Sequence, residues 1–379
     1  MSNLFNGERL REARYFRQLS ITQLAEKLEI SKQMISKYEK NLSKPSAEMI
    51  QKIVFELGFP LSYYQMEDKF TSKDLGTFYR SRLSSSQAEK KPSDLLKKSL
   101  ATVSHFFEQY VDFPQLDEFS IDDEDSPEKV AYKLRKLWEL GNEPVSNLLR
   151  LLEIKGFHLA VINSRSEKID AFGSFIKIND KPYYCILIDQ DNNNFFRQQF
   201  SLAHELGHWA MHAKTLNPQE LSPMEYREME KEANQFASAF LLPRKSFSKD
   251  ILEKEEDIYN YLSLKSKWNV SISSMIYRAK DLHLLDAEQY VRLQKKLSAK
   301  GWRKEEPEDA SKPVSQPILS KQAYEVLRDA GLFDRKSLTN FLEEQYGLAL
   351  PLEILSELMS IPREQLITNQ MNKIVQLKK

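Results

Sequence analysis

Cysteine, long apolar runs and net charge are scarce in this chain of 379 residues. The single cysteine, Cys185, excludes an intramolecular disulfide and fits a reducing compartment. No apolar run approaches the roughly 18 residues that span a membrane, and residues 1–16 are too charged for a signal peptide. We therefore expect a cytoplasmic protein with no membrane contact. The 55 basic residues balance the 55 acidic ones, so affinity for nucleic acid would need a local patch.

The most informative motif lies near the middle of the chain, in the segment Ser201-Leu-Ala-His-Glu-Leu-Gly-His-Trp-Ala-Met-His212. On a helix, His204 and His208 lie one turn apart on the same face, so both imidazoles can reach one metal ion. Glu205 projects to the same region and can act as the catalytic base. Two histidines, a third ligand, an open position and a base are what a zinc peptidase requires. We predict a Zn²⁺ site, whose nitrogen and oxygen ligands would also admit Mn²⁺ or Fe²⁺.

The third ligand must come from another element, and the next predicted helix, residues 224–242, offers several glutamates. Glu232 borders the apolar stripe of this helix, so its carboxylate can turn inward. Glu230 lies on the far flank, and we expect it to face solvent. Spacing alone leaves Glu225 and Glu228 open, because both lie on the same side as Glu232.

A third histidine of the motif, His212, lies about 6 Å further along the helix than His208. One ion cannot easily bind three histidines of a straight helix, so we predict that His212 hydrogen-bonds behind the ligands. The remaining histidines, His105, His158 and His283, have no partners at ligand spacing and are expected to be structural or exposed.

The first sixty-six residues predict five short helices, at 7–18, 20–28, 32–40, 47–57 and 61–66. Ser20 forms a capping box with Gln23, and Ser31 and Ser46 can cap the third and fourth helices. The second and third helices, joined by a three-residue turn, have the dimensions of a helix-turn-helix.

In a helix-turn-helix, the N-terminal residues of the second helix contact base edges. Gln33 could pair with adenine, and a lysine could reach the acceptors of guanine. The predicted base-reading residues are Lys32, Gln33, Ser36 and Lys37, and the predicted phosphate contacts are Gln23, Lys40, Asn41 and Lys44. Residues 1–60 hold ten basic and seven acidic residues, a local excess of three. One such module reads a half-site, so a homodimer on double-stranded operator DNA is expected; a bundle used only for protein contact is the alternative.

The rest of the chain predicts a mainly α fold with a small β-sheet (α+β). Strands are expected near 157–163, 172–178 and 183–189, and polar segments at 81–97 and 300–317 indicate mobile connections. The predicted organisation is a DNA-binding domain (1–68), a linker with an amphipathic helix (69–125), a metallopeptidase domain (126–299), a second linker (300–317) and a C-terminal helical module (318–379).

Two resemblances follow from these motifs. The run Leu19-Ser-Ile-Thr-Gln-Leu-Ala25, followed by Ile35-Ser-Lys-Tyr-Glu39, resembles the XRE (Cro/C1-type) DNA-binding family. Residues 200–212 and 230–243 resemble the two signatures of the ImmA/IrrE metallopeptidases, a likeness that extends from about residue 126 to residue 285. In that family the glutamate before Ala-Asn is the third metal ligand, which implies Glu232 here.

The resemblances imply a transcriptional regulator that binds operator DNA and cleaves a protein with a zinc-activated water. The implied substrate is an XRE-type repressor or an antitoxin-type protein, cut in trans, or the chain's own linker. Such cleavage would induce a stress, mobile-element or prophage programme. The alternatives are a DNA-binding factor that uses the metal domain as a sensor without cleavage, and a toxin–antitoxin component. We also expect the DNA-binding domain to be flexibly tethered and the C-terminal module to be separate.

Overall fold

A computed structural model describes residues 5–79, 87–163, 171–190, 194–213 and 220–367. Helices predominate, and the strands form one four-stranded sheet, so the predicted α+β class is confirmed. Within the described ranges, no helix is both long and apolar enough to cross a membrane.

The N-terminal residues form the compact helical bundle that the sequence predicts. It contains α1 (Gly7–Phe16), α2 (Ile21–Lys27), α3 (Lys32–Glu39), α4 (Ala47–Leu57) and a 3-10 turn (Leu61–Tyr64). Ser20, Ser31 and Ser46 cap their helices as expected, and the Ser20 cap is a full capping box with Gln23. A buried ion pair between Arg14 and Glu39, with two N–O distances of 2.5 and 3.0 Å, joins α1 to α3. This pair fixes the orientation of the second helix of the helix-turn-helix.

A mixed sheet separates the two apolar cores of the described residues. Its strands are β1 (Ser72–Tyr79), β2 (His158–Ile162), β3 (Ala171–Ile178) and β4 (Lys181–Asp189), in the order β1-β3-β4-β2. β2 pairs parallel with β4, and the other pairs are antiparallel. The apolar run of β4 is buried on both faces, because Tyr183 and Cys185 face one core while Tyr184 and Ile186 face the other. Strand β1 was not predicted.

The central helices lie on the two faces of this sheet. α5 (Gln87–Phe107) packs on one face, and α8 (Phe195–Met211), which carries the motif, lies against the other. The core on the α8 side of the sheet also includes α6 (Pro127–Leu137), α7 (Leu148–Ile154), α9 (Pro223–Leu241), α10 (Arg244–Ile251), α11 (Ile258–Trp268), α12 (Ile272–Asp281) and α13 (Ala287–Ala299). α10 ends at Ile251, and Asp257 caps the start of α11.

The C-terminal helices do not form a separate module, and that prediction is wrong. They are α14 (Leu319–Asp329), α15 (Leu338–Tyr346), α16 (Leu352–Met359) and α17 (Arg363–Leu366). Their apolar side chains share one core with the N-terminal bundle, α5 and one face of the sheet. Arg17, the residue that follows α1, forms an ion pair with Glu353 of α16 at 3.3 Å, and Lys69 donates to the carbonyl of Glu344 at 2.8 Å. The DNA-binding domain is therefore packed onto the rest of the chain, which contradicts flexible tethering.

The two predicted linkers are largely structured where they are described. Residues 87–97 belong to α5, while 80–86 lie outside the described residues. Residues 306–315 are hydrogen-bonded to helices on the α8 side of the sheet. Glu306 accepts the backbone N–H groups of Ile272 and Ser273 at the start of α12 (2.8 and 3.0 Å), and Ser315 exchanges hydrogen bonds with Gln198 of α8. Their polar composition reflects these buried hydrogen bonds rather than mobility.

Candidate metal centre

The motif helix α8 is buried along most of its length, and α9 crosses close above it. Gly207, inside the motif, makes this approach possible. A Cβ at this position would lie 3.0 Å from the Phe236 ring and 3.2 Å from the carbonyl oxygen of Ala233. A larger residue would push α9 away. The motif glycine thus lets α9 bring its own polar side chains over the two histidines.

Three nitrogen and oxygen donors converge between the two helices. The Nε2 atoms of His204 and His208 lie 3.0 Å apart. Each lies 3.4 Å from one carboxylate oxygen of Glu230, so this carboxylate spans the pair. Both histidines are buried, and Glu230 is 15% exposed. Two ring nitrogens and a carboxylate at these distances are the donor set of a catalytic zinc site.

The electrostatics of the site favour the ligand forms of these groups. Burial lowers the pKa of His208 to about 3, so its imidazole is neutral at pH 7 and its lone pair can bind a cation. Burial raises the pKa of Glu230, but the contacts with His204 and His208 outweigh it and hold this pKa well below its usual value. Glu230 is thus an anion beside the neutral imidazole of His208.

Glu230, not Glu232, faces the histidine pair, which corrects the prediction for the third ligand. The carboxylate of Glu232 lies 3.1 Å from Nε2 of His212 and is 42% exposed. The two glutamates flank the apolar stripe of α9 on opposite sides at similar angles, so periodicity cannot rank them. Which glutamate faces the histidines depends on the side of α9 against which α8 packs, and that is the side of Glu230. The other two candidates, Glu225 and Glu228, are exposed, and Glu225 caps the start of α9.

Hydrogen bonds behind the ligands orient the two imidazoles. Nδ1 of His204 lies 3.2 Å from the amide oxygen of Asn234, which sets the proton on Nδ1 and leaves Nε2 as the ligand atom. Nδ1 of His208 lies 3.1 Å from Nδ1 of His212, and Nε2 of His212 in turn contacts the carboxylate of Glu232. His212 therefore lies between His208 and Glu232, on the side of His208 away from Glu230. Asn234 was missed, although it lies only two positions after Glu232 in sequence.

The predicted base, Glu205, lies at the inner end of the site against the sheet. One ligand atom each of His204, Glu205 and His208 lie within 4.8 Å of one another. A Cβ at Gly173 of β3 would come within 3.2 Å of Oε2 of Glu205 and 3.0 Å of the Tyr184 hydroxyl. That hydroxyl is buried and has no hydrogen-bond partner among the described residues. Sequence reasoning missed Gly173 and Tyr184, since both reach the site only through the pairing of β3 with β4.

The comparisons with known families agree with this geometry. A family model described as the IrrE N-terminal-like domain, a peptidase family, matches residues 160–280. A second, described as a helix-turn-helix domain, matches residues 7–67. The chain joins a helix-turn-helix domain to an IrrE N-terminal-like domain. No curated protein matches the chain. All four polar residues of the site, His204, Glu205, His208 and Glu230, fall inside the IrrE-like match.

The helix-turn-helix domain exposes most of the residues predicted to contact DNA. Lys32, Gln33 and Lys37 are exposed at the start and middle of α3, and Ser36 is partly buried. Lys40 and Lys44 are exposed after α3. Two side chains predicted to contact phosphates, Gln23 and Asn41, also form hydrogen bonds within the bundle. The side-chain oxygen of Gln23 accepts from the Ser20 backbone at 2.8 Å, and that of Asn41 accepts from the Gly7 backbone at 2.8 Å.

The remaining histidines lie away from the IrrE-like site. His105 contacts the hydroxyl of Tyr346 at 2.7 Å, and His158 is buried against the rings of Phe113 and Tyr183. His283 is exposed with a φ of 58°, just after α12. The prediction that these three are structural or exposed is confirmed.

Proposed function

We propose that this chain is a DNA-binding regulator whose IrrE-like domain hydrolyses a peptide bond in a protein. The observation that carries the proposal is the convergence of His204, His208 and Glu230, with Glu205 beside them, in a chain that also has a helix-turn-helix domain. DNA binding without cleavage would not need a buried carboxylate next to two buried imidazoles.

The donor set fits a divalent cation, for which Zn²⁺ is the best candidate and Mn²⁺ or Fe²⁺ are possible. Such a cation, when bound, would acidify the attacking water and polarise the scissile carbonyl. His204, His208 and Glu230 are its proposed ligands. Asn234 and His212 would hold the two imidazoles in the ligand orientation through their Nδ1 atoms.

Glu205 is the proposed general base. Its carboxylate would take a proton from the attacking water and deliver it to the nitrogen of the departing amine, so one group serves both proton transfers. It is 1% exposed, and its position against the backbone of Gly173 keeps it at one end of the site.

The helix-turn-helix domain would direct this activity to an operator. α3 carries exposed lysines and Gln33 at the face that enters the major groove. A single module reads a half-site, so two copies on a palindromic operator are expected. The proposed substrate is an XRE-type repressor or an antitoxin-type protein that acts at the same genes.

The experiment is mass spectrometry of candidate repressors incubated with the zinc-loaded chain. The matched control is Glu205→Gln, which keeps the ligands and the shape of the base but cannot accept the proton. We expect a single cleavage product with the wild-type chain and none with Glu205→Gln, at equal metal content. Equal cleavage by both proteins would refute the role of Glu205, and absence of cleavage across all candidates would argue for a binding function.

A further inference from the structure

The strand β1 lies outside both matched segments, yet it completes the sheet beside the metal site. It spans Ser72–Tyr79 and pairs antiparallel with β3. The register sets Thr77 opposite Ser174 and Phe78 opposite Gly173. The segment that leaves the helix-turn-helix domain therefore forms one edge of the sheet.

The part of β3 that β1 covers is the part nearest the proposed base. Gly173 lies against Glu205, since a Cβ there would come within 3.2 Å of its Oε2. Side chains alternate along a strand, so Gly173 and Phe175 face α8, whereas Phe172 faces the core beneath α5. The backbone of β1 thus runs past the base at Phe78. The other edge strand, β2, is separated from β3 by β4.

β1 has the features of a strand that can leave its place. It lies at the edge of the sheet, so it pairs with β3 alone. Its pairing is irregular between Asp74 and Thr77, a stretch that contains Gly76, and both a bulge and an interior glycine weaken a strand. Lys97 of α5 fastens the first half through Asp74 at 2.5 Å. Phe78 lies beyond the irregularity, in the half next to the site.

A peptide must be extended to be cut, because a helix commits its carbonyls to hydrogen bonds and keeps them from the attacking water. Extended peptides commonly bind by adding a strand to the edge of a sheet. β3 would offer such an edge to a substrate if β1 moved away. We propose that the substrate is held as an extended segment that replaces β1 on β3, and that β1 is an internal competitor for this surface. This inference rests on the proposed peptidase function and specifies how its substrate is recognised.

β1 also connects the site to the DNA-binding domain. Residues 65–71 join the last turn of that domain to β1. Within them, Asp68 binds Arg9 of α1 and also Lys98 of α5, the latter at 3.0 Å. The segment that leads into β1 is thus tied to the first helix of the bundle and to α5.

The test compares two metal-binding probes on the zinc-loaded full chain. One is an extended tetrapeptide that ends in a hydroxamate, and the other is acetohydroxamate, which has the same metal-binding group without a strand. Thr77→Pro/Phe78→Pro removes two successive N–H donors. Since donors alternate between the two sides of a strand, one of them faces β3. Thr77→Cys/Ser174→Cys joins β1 to β3 by a disulfide. It is made in a Cys185→Ala background, because Cys185 lies directly opposite Ser174 on β4 and could compete for the new thiol.

We expect the proline variant to bind the tetrapeptide hydroxamate at least tenfold more tightly than the wild-type chain. Oxidation of the cysteine variant should weaken that binding by a similar factor, reversibly on reduction. Acetohydroxamate affinity should change less than twofold throughout. An unchanged tetrapeptide affinity in both variants, with acetohydroxamate still bound, would overturn the inference and leave the metal site standing. Failure of both probes to bind any form would instead refute the metal site, and this inference with it.

Discussion

Glu230→Gln should weaken zinc binding far more than Glu232→Gln, although the two glutamates are only two positions apart. Each oxygen of the Glu230 carboxylate lies 3.4 Å from a histidine Nε2, so a cation held by the two nitrogens would lie within about 4 Å of that charge. A unit charge at about 4 Å contributes about 4 kcal/mol per unit of cation charge at an effective dielectric constant of about 20. Loss of that charge corresponds to at least about a thousandfold in the dissociation constant.

Glu232 acts one step further away. It touches His212, which touches His208, and its side chain is 42% exposed. Substitution of a group behind a ligand typically weakens metal binding about 10- to 100-fold. Both variants exchange a carboxylate for an amide of the same shape, so they form a matched pair in size and in net charge.

The assay is competition for Zn²⁺ against a chromophoric chelator, at fixed pH and ionic strength, with folding checked by circular dichroism. The expected order of dissociation constants is Glu230→Gln, then Glu232→Gln, then wild type, from weakest to tightest binding. A larger effect for Glu232→Gln would restore the ligand set that the sequence implied and would refute the reasoning from the geometry of α9.

Three further predictions concern other parts of the molecule. Gly173→Ala would place a methyl group 3.2 Å from Oε2 of Glu205. The rate of substrate cleavage should fall at least tenfold, while the affinity for zinc stays within threefold of the wild-type value. An equal loss of rate and affinity would mean that the whole site had shifted. Gln33→Ala should reduce the free energy of binding to the cognate operator by roughly 1–3 kcal/mol. Lys44→Ala should weaken binding to all DNA sequences alike and reduce the salt dependence of binding. Equal behaviour of the two variants in fluorescence anisotropy would contradict the assigned roles. Burial lowers the pKa of His158 from 6.5 to about 4, so the unfolded chain binds this proton before the folded chain does as pH falls. The free energy of unfolding should therefore decrease by up to about 3 kcal/mol between pH 6.5 and pH 4. In denaturant titrations of the metal-free chain, His158→Phe should remove this part of the pH dependence.

Local patterns carried most of what the sequence predicted correctly. His204, Glu205 and His208 lie on one helix at a spacing that fixes their shared face, so no long-range contact is needed to bring them together. The helices and serine caps of the N-terminal bundle are equally local. The choice between Glu230 and Glu232 is not a local matter, because it depends on which flank of α9 meets α8. Helical periodicity does not distinguish the two flanks.

Long-range pairing explains the other differences. β1 is a short strand with an irregular register and an interior glycine, and its partner β3 lies about a hundred residues further along the chain. Its pattern was therefore too weak to separate it from a linker. The amphipathic spacing of residues 318–367 did predict helices, but an apolar stripe does not identify the surface against which it packs. The covering surface is the core shared with α5 and the N-terminal bundle.

That shared core makes the two ends of the chain a single discontinuous unit, with the IrrE-like domain inserted between them. The first helix meets one of the last through Arg17 and Glu353, 336 positions apart in sequence. In topological terms the IrrE-like domain is an insertion, and the segments that enter and leave it both return to this unit. A truncation before Leu319 would therefore remove part of the core on which the helix-turn-helix bundle rests. Cutting the chain at a single point would not separate the two matched domains as independently folded pieces.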